Sequence, residues 1–217
     1  MSGQDLLNLC ITKKGNIMKK IVLLLVSMFW LLGFNVFAEQ KVGTYRVLER
    51  DFDIEAGYDS NNRLVVYIGV ISEYDHEKSM IAITGENNVE SFVSALQQVK
   101  AKYNEWKDVA IKNNVTDYKK AIDVTFPNVE IYWRGASKWY SSFSRNFIKM
   151  LFLVSEEGKA TVGCGGEAKD WDNEYITQKW YFLFSSSNEI EGLVKALNIE
   201  GIKSKISSKQ NTDDLFN

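Results

Sequence analysis

Apolar and polar positions divide the chain into three kinds of segment: one continuous apolar run near the start, two stripes at helical spacing, and several short strand-like runs between them. The continuous run begins after Met18 and the positive pair Lys19-Lys20. Its core covers residues 21–34, Gly33 and Asn35 break it, and Val36-Phe37-Ala38 places small residues ahead of the polar Glu39-Gln40-Lys41. These are the three parts of a secretory signal peptide, so cleavage is expected after Ala38. The run is at the short edge of the roughly 20 apolar residues that a membrane span requires. Membrane contact is therefore expected only through this segment, before cleavage. Residues 1–17 read as an upstream extension, and Cys10 lies on the wrong side of the apolar run for lipid attachment.

The two helical stripes are copies of one another. Asn87 to Leu96 aligns without a gap on Asn188 to Leu197, 101 residues later, with five of the ten positions identical. Upstream, Ile81-Ala82-Ile83 matches Phe182-Leu183-Phe184. Val89, Phe92, Val93, Leu96, Val99, Tyr103, Trp106 and Ala110 recur at spacings of three and four, which predicts a long helix. The second stripe, Ile190, Leu193, Val194 and Leu197, stops near Gly201. Asn87 with Glu90, and Asn188 with Glu191, have the spacing of a capping box at each helix start.

Strand signals precede each helix: residues 44–48, 52–56, 64–70 and 80–84 in the first half, then 129–133, 147–154, 160–164 and 176–184 in the second. Residues 57–62 and 156–159 read as turns. The expected fold class is α+β: antiparallel sheet with two packed helices, built as a tandem ββββα repeat over 39–125 and 126–204 of one domain. Residues 205–217 read as a disordered tail. The element order resembles the duplicated ββββα arrangement of PUR-repeat and whirly-type single-strand-binding proteins. The resemblance lies in element order alone and implies a fold without a function.

Charge then narrows the partners. Removing residues 1–38 takes four of the 26 basic and one of the 28 acidic residues, which moves the net charge from −2 to −5. A mildly acidic domain is a poor match for nucleic acid, whose phosphates draw on clustered Lys and Arg. Cys164 is the one cysteine left beyond Ala38, so no internal disulfide is expected there.

The candidate chemistry is sparse. His76, the single histidine, lies in a polar connection, and the sequence has no metal-binding motif. Neither a metal nor a cofactor is expected. Cys164, flanked by Gly163, Gly165 and Gly166, is a candidate nucleophile with His76 as base; the competing explanation is a small residue on a close-packed strand. Asp170, Asp172 and Glu174 surround Trp171 and raise the question of paired-carboxylate sugar chemistry, although loop carboxylates are ordinarily solvated. The stretch from Tyr132 to Phe143 gathers flat rings beside basic and hydroxyl groups. From it Trp139, Tyr140 and Arg134, together with Trp171, are the candidate ligand-binding residues.

These features point to an exported, periplasmic or secreted, non-catalytic domain that binds a glycan, a peptide or an envelope protein. Two alternatives stand beside it: a cysteine-dependent hydrolase or transferase using Cys164 with His76, and a structural component of the cell envelope.

Overall fold

The structure is a computed structural model and describes residues 39–73, 78–135, 138–144 and 148–214. The expected signal segment and His76 lie outside the described residues. All of the described residues belong to one compact unit, Phe37–Asn217. The unit is mixed α+β, with antiparallel strand pairing and three helices among the described residues.

In chain order the elements are β1 (Gln40–Val47), β2 (Arg50–Tyr58), β3 (Leu64–Ser72), β4 (Ser79–Thr84) and α1 (Glu86–Lys112). They continue with β5 (Tyr118–Ala121), β6 (Val129–Arg134), β7 (Trp139–Ser144), β8 (Leu151–Val154), β9 (Ala160–Lys169), β10 (Thr177–Phe184), α2 (Ser187–Ala196) and α3 (Ile199–Asp214). The main strand order is β5-β8-β9-β10-β3-β4-β6-β7, with β2 also on β3 and β1 on β2. One edge of β3 is shared: Leu64–Ile68 pair with β2, and Ile71–Ser72 pair with β10.

Alternation along the strands sorts the two faces. On β4 and β10 the positions Ile81, Ile83, Trp180, Phe182 and Phe184 are at most 1% exposed. They belong to the core that also takes the buried faces of the helices. α1 contributes Val89, Phe92, Ala95, Leu96, Val99, Tyr103 and Ala110, close to the predicted stripe; Val93 and Trp106 are half-buried. The Tyr103 hydroxyl donates to the Ser185 carbonyl at 2.7 Å and so ties α1 to the start of α2.

The helix caps differ from the expected ones. α1 starts after Gly85, whose φ of 95° suits glycine, and no side chain caps it; Asn87 and Glu90 lie inside the helix. At α2 the capping box is Ser186 with Glu189, not Asn188 with Glu191. Glu189 wins because its carboxylate also accepts from the Leu48 amide (2.9 Å) and the Ser185 hydroxyl (3.0 Å), partners supplied by the β1–β2 turn and the strand end.

The expected disordered tail is also corrected. α2 ends at Ala196, and α3 runs from Ile199 through Gly201 to Asp214, so helix replaces the tail over 205–214. Ile202 and Ile206, four residues apart, are 2% and 3% exposed, and α3 packs on β1 and β2. Lys205 donates to the Val42 carbonyl, and Lys203 meets Glu86 at 3.1 Å. The segment is helical because those tertiary partners hold it, on few apolar residues of its own. Strands β5 and β7 have no counterpart among the expected strands: every residue of β5 is exposed, and β7 reads Trp-Tyr-Ser-Ser-Phe-Ser.

Candidate functional site

The candidate residues divide between the two faces of β6 and β7. Pairing sets Arg134 opposite Trp139 and Trp133 opposite Tyr140. Trp133 is buried, and Tyr140 stacks on it at 5.8 Å with the rings 23° apart. Tyr140 is half-buried there, on the face opposite Trp139, with Lys138 4.7 Å from its ring centroid. The neighbouring Gly135 is required by that ring, because a Cβ there would overlap Tyr140 Cε2.

Trp139 points to the opposite face and is 40% exposed. It closes a cavity of about 160 Å³ lined also by Glu39, Tyr67, Met80 and Tyr132. The strand order explains the gathering: β3, β4, β6 and β7 are consecutive neighbours, and the register sets Met80 beside Tyr132 and Tyr67 beside Ala82. The Tyr67 and Tyr132 rings meet edge to face, 5.7 Å apart at 81°.

Hydrogen bonds and charges orient this cleft. The Tyr132 hydroxyl donates to Glu130 at 2.6 Å, and the Tyr67 hydroxyl donates to the Glu39 carboxylate. Burial pushes both phenols well above the usual tyrosine range, and the adjoining carboxylates push the same way. Both therefore stay neutral donors at ordinary pH. Lys78 and Arg134 approach the Trp139 ring at 6.0 and 5.9 Å, and Lys78 is also ion-paired with Glu55.

Comparison with protein-family models, with curated proteins and with solved structures finds no match to this chain.

Trp171 is not among the lining residues. It is 77% exposed in the loop between β9 and β10, and its amide donates to the Ser141 carbonyl of β7 at 3.0 Å. In the same loop Asp172 and Glu174 are exposed, whereas Asp170 is buried with Oδ2 unpartnered among the described residues. The three carboxylates do not share one solvent-open setting, so a carboxylate pair working on a sugar has no support here.

Cys164 lies on β9 opposite Phe182 of β10 and is 6% exposed. Burial pushes its thiol up to about 12, outweighing a backbone hydrogen bond from Lys149. A thiol held protonated and out of solvent is not an activated nucleophile. We expect it to resist iodoacetamide at pH 8 in the folded protein and to react readily once the chain is unfolded in guanidinium. Rapid labelling of the folded chain, followed by mass spectrometry, would show that the thiol is reachable after all. Among the described residues no group of three or more His, Cys, Asp or Glu side chains is placed to hold a metal ion. No helix among them is long and apolar enough to cross a membrane.

Two larger hollows have different chemistry. One of about 510 Å³ lies between α1 and the α2–α3 junction, edged by charged side chains including Glu86, Glu90, Lys195 and Glu200. The other, about 330 Å³, lies between α1 and β5, where Lys120 already sits 4.3 Å from the Trp106 ring centroid. Of the cleft, the sequence reveals Trp139, with Arg134 beside its ring, but not Glu39, Tyr67 and Met80. Tyr132 falls within the aromatic stretch without standing out from it. The available signal is alternation: Tyr67 sits between Val66 and Ile68, and Tyr132 between Ile131 and Trp133, so each ring falls on the face that should be polar.

Proposed function

We propose that this is an exported, non-catalytic binding domain that receives its ligand or partner at the cleft beside Trp139. One observation carries the reading: four consecutive strands of one sheet bring Tyr67, Met80, Tyr132 and Trp139 around a single cavity. Concave aromatic walls with a few placed polar groups are the usual chemistry of a ligand site. The burial of Cys164 supports the binding reading over the cysteine-dependent one. Truncating Trp139 to Ala should weaken binding by about 1–2 kcal/mol, roughly 5- to 30-fold. Glycan and peptide arrays probed with both forms supply the measurement. Equal signals from the two would remove the cleft from consideration.

Export rests on the leader at residues 18–38, which is charged, apolar and then small-residue in order. The purified protein should begin at Glu39 by N-terminal mass spectrometry. A molecule that keeps residues 18–38 contradicts the reading.

The domain reads further as two related halves. The bounds differ from the expected 39–125 and 126–204: β6, expected to open the second half, pairs with β4, and residues 118–121, expected in the first, pair with β8. The halves therefore read as β1–β4 with α1 and β5, β8, β9 and β10 with α2, the β6–β7 hairpin being an insertion on the β4 edge. Each quartet pairs as an antiparallel meander, and the helix starts at Glu86 and Ser187 keep the 101-residue offset of the sequence repeat. Val89 with Ile190 and Phe92 with Leu193 are fully buried at equivalent positions.

A further inference from the structure

The geometry points to an organic cation, with a quaternary or methylated ammonium head group, as the occupant of the Trp139 cleft. This deepens the binding reading above and rests on it. Three aromatic side chains and a methionine line the cavity, and Glu39 supplies the one charge among its lining residues. A cation is attracted to the face of Trp or Tyr by the ring quadrupole, more strongly where water is excluded. The volume of about 160 Å³ is close to the roughly 150 Å³ that accommodates a benzene-sized guest, the scale of a trimethylammonium group.

The surrounding charges favour the same sign. Among the described residues Glu39 and Glu130 lie on or beside this face against Arg134, the charges of Lys78 and Glu55 cancelling in their ion pair. Lys78 and Arg134 both lie against Trp139 rather than among the lining residues. Both phenol hydroxyls already donate to carboxylates. That leaves neither phenol proton free for a sugar or an anion, while it adds electron density to the two rings. A bulky cation needs no hydrogen bonds from the site, and here it would find ring faces and negative charge together.

The decisive comparison is choline against 3,3-dimethylbutan-1-ol, its uncharged isostere. Both would be titrated into protein purified from expression of the full chain, by calorimetry and tryptophan fluorescence. Choline should bind at least about tenfold more tightly than the alcohol. Trp139→Ala should weaken choline by the same margin, roughly 5- to 30-fold, or about 1–2 kcal/mol. Glu39→Gln, which removes the charge but keeps an oxygen acceptor for the Tyr67 hydroxyl, should weaken choline severalfold more than it weakens the alcohol.

Equal affinity for the two probes, both weakened in Trp139→Ala, overturns the cation inference while the cleft stands. The cation inference also falls if neither probe binds and array ligands still depend on Trp139. Indifference of every ligand to Trp139→Ala overturns both readings. Co-sedimentation with phosphatidylcholine vesicles, against phosphatidylglycerol vesicles, separates two sources of the head group. Pelleting with the first alone assigns it to a lipid, and choline binding without pelleting assigns it to a small molecule.

Discussion

Replacing Phe92 by Ala is expected to cost about 3–5 kcal/mol of folding stability, the usual range for an aromatic truncation in a packed core. Phe92 is fully buried on α1, its ring 5.1 Å from Phe126 at 69° and 6.1 Å from Phe182. Truncation would remove the edge-to-face pair as well as the buried area, and it would leave a void where α1, β10 and the segment before β6 meet. Domains of this size hold only about 5–15 kcal/mol in total, so the variant should lie near its unfolding threshold. A urea titration and a thermal melt provide the measurement, with a fall in Tm of roughly 6–20 °C. A loss below about 1 kcal/mol would mean that α1 does not rest on the sheet through this ring.

Placing Val at Gly163 should cost about 3 kcal/mol or more, at the upper end for overpacking. A Cβ at Gly163 would overlap Leu183 Cδ2 and lie 2.5 Å from the Phe182 carbonyl oxygen and 2.9 Å from Leu183 Cα. Two of those three atoms are backbone, so no side-chain rotation relieves the clash and β10 itself must move. Gly165 faces the same restriction, with Tyr181 Cδ1 at 2.6 Å and the Trp180 carbonyl oxygen at 2.9 Å. Gly163 and Gly165, on either side of Cys164, thus let β10 lie close beside β9. Thiol labelling gives a second readout. Cys164 sits between the two glycines, so parting the strands should raise its alkylation rate under native conditions. A Gly163→Val protein with unchanged stability and a still-protected thiol would show that β9 and β10 are not paired in this register.

Much of the fold could be read directly. The apolar spacing from Val89 to Ala110 marked α1, and the strongly alternating or continuous runs at Leu64–Val70 and Ile176–Phe184 marked β3 and β10. Such segments carry their own burial pattern, and the core honours it. β5 and β7 carry no pattern of that kind; they are strands because β8 and β6 offer them hydrogen-bonding partners. The capping residue of α2 is hidden from the sequence for a related reason. Ser186 and Asn188 both have side chains able to cap, and Glu189 selects Ser186 through bonds to Ser185 and Leu48 that exist only after folding.

The site divides along the same line. Trp139 and Arg134 are visible as an aromatic and a cation five residues apart, and a β-hairpin then places them opposite one another. Nothing local to Glu39, Tyr67 and Tyr132 tells that they meet. They are far apart in the chain, and the cavity exists because β6 adds to β4 and β4 to β3 in a fixed register. The amino-acid sequence alone determined the apolar run at residues 21–34, the helical stripe that recurs 101 residues later and the alternation that separates core from surface, since each is a property of neighbouring residues. Tertiary structure decided which rings share a cleft, which side chain caps α2 and that Cys164 is buried, because those depend on the order in which strands pair across the sheet.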